Sequence, residues 1–343
     1  MTSKERVLAA VRRQPTDRLP RYFWVGKGAA DNLCKEFGIQ YDQIDSFMGN
    51  DVRQTWLSIN GQMEQDCAEG QSFVDEWGIT WSREGYYNTV VINPMAELSE
   101  NEIAEYSFPD PYAPARYEKF DHLVKEFGGE YFVGADISGS LFEPAYHLRG
   151  MENILIDMAM ESPEADILLD RLCEFTSKVA VEAVRRGADG IWLGDDLGSQ
   201  RALLMPPDMW RKYFKPRMKK IIDAIRAEKS DMIVAYHSCG SIASVIGDLA
   251  EVGINVLNPL QESADGIDHI QIKQQYGDKL SFMCGLDTQT FLMTASPKEV
   301  IKAMTAKAAA LSEGGGYIAA VSHTLQHDVP AINIKAIIDA LTD

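Results

Sequence analysis

The chain predicts an α/β fold: one (β/α)8 barrel (TIM-barrel) domain over residues 1–343, with an N-terminal extension containing a β-hairpin. Three observations carry this prediction. From about residue 130 onward, short β-branched apolar runs alternate six times with longer segments of helical period, a rhythm that means right-handed βαβ units and a parallel sheet. The length of 343 residues suits a single barrel. No Gly-x-Gly-x-x-Gly follows any of the strands, which disfavours the open, doubly wound sheet as the alternative.

Taken in order, residues 3–13 form a short amphipathic helix capped by Thr2 or Ser3 and ended by Pro15, a start that does not read as a signal peptide. Residues 21–25 read as the first strand, followed by Gly26, Gly28 and a helix containing Leu33 and Phe37. Residues 51–106 differ in character. Segments 77–81 and 88–92, joined by a polar Arg-Glu-Gly turn, read as a β-hairpin. The whole insertion stands either as a lid over the barrel or as an ordinary packed hairpin. The proline-rich stretch 108–114 leads into the main body. There the strands fall at 131–137, 190–194, 232–237, 256–260, 280–284 and 317–321. Helical pattern occupies 151–160, 163–186, 206–228, 241–251, 266–275, 297–312 and 331–341. With 21–25 this makes seven strands; one more from the irregular early region closes an eight-strand barrel.

Hydrophobic residues make up 45% of the chain, enough for one large core and too many for general disorder. The 33 basic residues stand against 51 acidic ones, a formal charge of −18. That balance argues against nucleic acid or an anionic membrane as a partner, since both need basic surface. Five cysteines (34, 67, 173, 239, 284) have no paired spacing, which fits reduced thiols. No apolar run approaches the roughly 20 residues of a membrane span. The expectation is a soluble cytoplasmic protein, monomeric or homodimeric.

In a barrel of this kind chemistry collects at the C-terminal ends of the strands. Here those ends are polar in order: Asp136 and Ser138; Asp195, Asp196 and Gln200; His237 and Cys239; Gln261 and Glu262; Cys284, Asp287 and Gln289; Ser322, His323, Gln326 and His327. His237 and Cys239 lie two apart, so on a strand they project together. An imidazole beside a soft thiolate suits zinc, although a half-buried His and a small buried Cys are also common in cores. Neighbouring strands lie roughly 4.8 Å apart, so His237, Cys239, Glu262 and His323 are placed to share one ion. Glu262 stands equally well as a turn cap, and Cys284, before Gly285, reads as a small residue in a tight place. Asp195 and Asp196 exceed what capping of the following helix requires, which makes them catalytic candidates. Asp136, Tyr236, Asp287 and Gln289 are candidate substrate contacts, and His327, beyond the strand end, reads as surface.

Several stretches resemble the uroporphyrinogen decarboxylase superfamily: Gly187-Ala-Asp-Gly-Ile-Trp-Leu-Gly-Asp-Asp196, Tyr236-His-Ser-Cys-Gly240, Leu257-Asn-Pro259, Gly285-Leu-Asp-Thr-Gln289 and Gly314-Gly-Gly-Tyr-Ile318 with Ser322-His323. The resemblance covers most of 130–340 and implies a (β/α)8 barrel with one of two activities. One branch decarboxylates uroporphyrinogen without a cofactor; the other comprises cobalamin-dependent methyltransferases and O-demethylases. The decarboxylase branch carries an arginine-rich Met-Arg-Gln-Ala-Gly-Arg segment for its polyanionic substrate. The matching place here, residues 22–29, has the single cation Lys27, a poor match for such a substrate.

The methyltransferase branch carries His-x-Cys-Gly and zinc, as His237-Ser-Cys239-Gly240 does. Its coenzyme M enzymes add a later Cys where His323 stands here, and an acidic ligand near Glu262. The resemblance therefore implies zinc on His237, Cys239, Glu262 and His323. It further implies a separate corrinoid protein carrying cobalamin, and a small methyl donor or acceptor such as a methoxylated aromatic or a thiol. The missing second thiolate counts against the thiol reaction. In this reading zinc acts as a Lewis acid, and Asp195 and Asp196 orient substrate or supply the proton that demethylation requires. The alternative is a cofactor-free decarboxylase.

Overall fold

A computed structural model describes residues 1–57, 68–85 and 87–342. Cys67, and with it residues 58–67 of the early insertion, lies outside the described residues, as does Tyr86. Strands β1 (Val52–Trp56), β5 (Phe132–Ser138), β6 (Gly190–Gly194), β7 (Ile233–Ser238), β8 (Val256–Pro259), β9 (Ser281–Leu286) and β10 (Tyr317–Val321) form one curled parallel sheet in that order, as in a TIM barrel. The remaining strands, β2 (Ser72–Val74), β3 (Thr80–Glu84) and β4 (Tyr87–Ile92), make a separate antiparallel sheet.

The early region reverses the expected roles of two segments. Residues 52–56, taken as part of an irregular insertion, form the ordered edge strand beside β5. Residues 21–25, expected as a strand, make only two isolated bridges, Arg21 to Ala319 and Val25 to Leu325. The reason lies in their partners. Toward β10, backbone pairs with backbone: Tyr22 N–H donates to Ala319 O (2.9 Å) and Gly26 N–H to Leu325 O (2.9 Å). Toward β1, one backbone bond remains, Asp51 N–H to Arg21 O (2.9 Å), and side chains supply the rest: Phe23 N–H donates to Asn50 Oδ1 (2.9 Å) and Arg21 N–H to Asp51 Oδ2 (3.0 Å). The ladder that defines a strand is therefore replaced on one side, though the backbone still spans both edges.

Asp51 anchors this seam. Fully buried, it accepts from Ser3 Oγ (2.7 Å), Arg6 Nη1 (2.6 Å) and both Arg18 Nη atoms (2.8 Å each). The helix Ser3–Val11, opened by the predicted Thr2 cap in a capping box with Glu5, is thereby tied beneath the sheet. Its Val7 and Val11 join the inner core with Tyr22, Val52, Phe132, Trp192, Ile233, Ala235, Val256, Met283, Ile318 and Ala320. Period-two alternation sends the intervening residues, among them Val133, Ile191, Leu193, Val234, Tyr236, Leu257, Cys284 and Tyr317, to the outer core under the helices. Trp192 fills the interior because Gly134 leaves room: a Cβ there would lie 2.6 Å from its ring.

Local chemistry shifts two other boundaries. The hairpin's first strand begins at Thr80, not 77, because Asp75 ties up residues 77–81: it accepts from Trp77 N–H (2.9 Å), Ile79 N–H (3.0 Å) and the Trp81 indole (2.8 Å) around Gly78 at φ +79°. The helix expected over 206–228 divides into Pro207–Tyr213 and Lys215–Glu228, since Pro216 brings no N–H to the carbonyl four residues back. The three-stranded sheet packs Trp81 edge-on against His147 (5.0 Å between ring centroids). The Tyr87 hydroxyl reaches Gln326, in the loop beyond β10. No helix among the described residues is long and apolar enough to cross a membrane.

Candidate functional site

The inward residues at the strand ends are polar where those deeper in the sheet are apolar. On β7 the inward series Ile233, Ala235 continues to His237, and Cys239 follows one step beyond the strand. Two glycines make room for this turn. A Cβ on Gly194 of β6 would lie 2.4 Å from the His237 carbonyl, and one on Gly240 (φ +78°) would lie 2.2 Å from Gly198 O. His323 arrives from the chain just past β10. One ligand atom each from His237, Cys239 and His323 lie within 4.8 Å of one another, with Cys239 Sγ 3.5 Å from His237 Nε2.

The imidazole of His237 is held in one tautomer by a chain of hydrogen bonds. Buried Asn258 on β8 donates its Nδ2 to the Met283 carbonyl (2.9 Å), which turns its Oδ1 toward His237 Nδ1 at 2.7 Å. An oxygen there makes Nδ1 the protonated nitrogen and leaves the Nε2 lone pair facing the cluster. Burial and the nearby His237 push His323 below the usual histidine range. Burial and Asp196 push the Cys239 thiol well up. Two imidazoles and one thiol at strand ends, with no fourth such group among the described residues, fit the donor set of a zinc ion. Trp24 lies over His237, with ring centroids 5.3 Å apart. A cleft of about 440 Å³ beside the cluster is lined by Gln200, Cys239, Gln261, Gln289 and His323 among others.

The other expected site residues divide. Asp196 belongs to the site: its Oδ1 accepts from Cys239 N–H (2.8 Å) and lies 3.7 Å from His237 Nε2. Asp136 faces inward on β5, bonded to Gln54 of β1 and to Ser138 N–H (2.7 Å), and burial raises its carboxyl. Gln289 is exposed on the rim, meeting Gln200 and Ser263 (3.3 and 3.2 Å).

Four others are placed elsewhere. Glu262, the expected fourth ligand, is not brought to the cluster: its exposed carboxylate pairs with Lys307 and lies 3.5 Å from His269 Nδ1. Tyr236 faces the outer core because it sits one residue out of phase with His237. Asp287 spends Oδ2 on Thr290 N–H (2.8 Å), Thr290 Oγ1 (2.6 Å) and Phe291 N–H (3.1 Å), which holds its carboxyl below the usual range. Asp195 does cap a helix, but the one before it in sequence. It accepts from Leu141 N–H and Glu143 N–H (3.0 Å each) at the start of Phe142–Arg149. Burial nevertheless raises its carboxyl to about 7. Cys284 is fully buried behind β9, its thiol pushed up to about 12 by burial.

Sequence reasoning missed Trp24, Gln54 and Asn258. Asn258 and Gln54 had a usable signal, being in phase with the inward residues of their strands.

The sequence pattern of the family described as Uroporphyrinogen decarboxylase (URO-D) matches residues 81–343. Among individual proteins, the chain is similar to methylcobamide:CoM methyltransferase MtbA of Methanosarcina mazei, at 23% identity over 309 residues, covering 87% of this chain and 86% of that protein. It is also similar to uroporphyrinogen decarboxylase of Magnetococcus marinus, at 21% identity, covering 100% of this chain and 97% of that one. A solved structure of a methyltransferase from Methanosarcina mazei superposes with a TM-score of 0.76 at 18% identity, over 99% of this chain and 98% of the other. At that identity the likeness is one of fold.

Proposed function

The chain belongs to the uroporphyrinogen decarboxylase family, and from that premise we propose that it is a zinc-dependent methyltransferase of a corrinoid system. In this reading it moves a methyl group between a small substrate, a methoxylated aromatic or a thiol, and the cobalamin of a separate corrinoid protein. The observation that carries the proposal is the three-residue donor cluster with His237 Nε2 freed by Asn258. The similarity to a methylcobamide:CoM methyltransferase over most of both chains supports the same branch. We take residues 20–26 as the eighth stave of a full (β/α)8 barrel, residues 1–343 as one domain, and the antiparallel sheet with its hairpin as a cover on the mouth.

His237, Cys239 and His323 would hold the zinc, which when bound supplies Lewis acidity to an oxygen or sulfur in the open position. Asp196 fixes the backbone at Cys239 and holds its carboxylate beside His237. Asp136, steadied by Gln54, and Gln289 at the rim contact substrate. The net charge of −18 favours a basic surface on the corrinoid protein that docks here. We place the protein in the cytoplasm, as a monomer or homodimer. The second reading, decarboxylation of a carboxylated substrate, draws on the full-length similarity to a uroporphyrinogen decarboxylase. Lys27 as the only cation in residues 22–29 weighs against it.

Elemental mass spectrometry on protein purified without added metal tests the proposal, together with methyl transfer from methoxylated aromatics to a corrinoid acceptor. About one zinc per chain is expected, absent from a folded Cys239→Ser variant, with turnover that depends on the corrinoid. Metal-free, folded protein that releases carbon dioxide from a porphyrinogen would overturn it.

A further inference from the structure

The cleft beside the cluster is lined by side chains that carry almost no charge. Four of them are the glutamines Gln200, Gln261, Gln289 and Gln326; Asp328 is the one formally charged residue of the lining, which holds neither lysine nor arginine. Hydrogen bonds within the protein decide which end of each amide is left for a bound molecule. Gly240 N–H can only donate, so it takes Gln261 Oε1 (2.8 Å). Gln289 Oε1 accepts from Gln200 Nε2 (3.3 Å) and Ser263 Oγ (3.2 Å), and Gln326 Oε1 accepts from the Tyr87 hydroxyl. The Nε2 groups of Gln261, Gln289 and Gln326 make no hydrogen bond to any described residue. Gln261 carries the most weight, because it is only 4% exposed, and an amide donor so buried costs free energy until an acceptor reaches it. The hydroxyls nearby are spent within the protein: Ser199 Oγ donates to Ala202 O (2.9 Å), and Thr288 Oγ1 meets Ser322 Oγ (3.2 Å).

We propose that this cleft is a subsite for uncharged molecules bearing hydrogen-bond acceptor oxygens, and that it discriminates against carboxylates and sulfonates. The inference rests on the methyl-transfer reading and narrows its substrate: the reacting ether or thiol lies at the cluster, and the rest of the molecule lies against the glutamines. Neutral amide donors match a carbonyl, ether or hydroxyl oxygen. No lining side chain supplies the cation that a desolvated anion requires. Asp328 and the chain's charge of −18 add repulsion. A zinc ion at the cluster does not reverse this, because its charge would be offset by the thiolate of Cys239 and by Asp196, which lies 3.7 Å from His237 Nε2.

Calorimetry on the zinc-loaded full chain, without corrinoid, tests this with pairs of molecules that differ chiefly in charge: meta-methoxybenzamide against meta-methoxybenzoate, and mercaptoethanol against mercaptoethanesulfonate. Within each pair the neutral member should bind at least about 10-fold more tightly. Gln289→Lys, at the exposed rim, should move each ratio about 10-fold toward the anion while metal content stays the same. Gln261→Glu keeps an oxygen for Gly240 N–H but withdraws the donor, and should weaken binding of the benzamide about 10-fold, with metal content and melting temperature as controls. Anions that bind as tightly as their neutral partners overturn the proposal, as does failure of every probe to bind the zinc-loaded chain. A neutral preference in a chain that transfers no methyl group to a corrinoid upholds the subsite and counts against the methyl-transfer reading.

Discussion

On one side of the barrel mouth, β7 and the chain past β10 present His237, Cys239 and His323, whose imidazole nitrogens and thiolate sulfur suit a soft cation, with Asn258 on β8 bonded to His237. On the adjacent side, the ends of β5 and β6 carry Asp136, Asp195 and Asp196; His237 stands near Asp136 and Asp196, while Asp195 turns to the start of the helix Phe142–Arg149. Desolvation acts on the two sides in opposite senses. It lowers His323 below the usual histidine range, and it raises the carboxyls of Asp136 and Asp195 above the usual carboxylate range. Desolvation thus favours the neutral form on both sides, even with Asp196 Oδ1 3.7 Å from His237 Nε2.

The sharpest way to break this division is His237→Ala, which removes a ligand whose tautomer is already set; metal content should fall to background while the fold survives, as read by elemental analysis and circular dichroism. Asn258→Ala tests whether that tautomer matters. It leaves all three ligands in place but should weaken zinc binding about 10–100-fold in competition with a chelator. An unchanged affinity would mean that the cluster orients itself without β8.

On the acid side, Asp195 offers a test through stability. Its carboxyl is raised to about 7 in the fold, against 3.8 ordinarily, so the folded chain binds the proton more tightly than the unfolded one. This contribution is complete below pH about 4 and is lost as pH climbs through 7, with a slope of up to about 1.4 kcal/mol per pH unit. Asp195→Asn should flatten that part of the stability profile in urea titrations. A slope that persists would assign it to another group. The smallest effect belongs to Glu262→Gln: metal content should not change, since the carboxylate is engaged by Lys307, and a drop in zinc would return Glu262 to the ligand set.

Much of the architecture was legible because periodicity is a local property. The runs ending at Gly194 and Val321 match β6 and β10 at both ends, and His237 and Cys239 come together because both are in phase on one strand. Two of the boundary errors share one cause, which is competition between side chains and backbone. Asn50 and Asp51 replace a ladder at residues 21–25, and Asp75 replaces one at Trp77. Tyr236 was misjudged by a single residue of phase, although alternation from His237 places it outward.

By itself the amino-acid order determined the parallel α/β rhythm, the polar strand ends and the His-x-Cys pair, since each depends on residues near one another in the chain. Only the tertiary structure decided that His323, 84 residues beyond Cys239 in the chain, reaches the pair while Glu262, nearer in sequence, turns to Lys307. It likewise decided that Asp195 caps a helix preceding it. Strand parity tells which face a residue takes, but a loop or helix residue has no such constraint, and its direction is set by the partners that packing brings within reach.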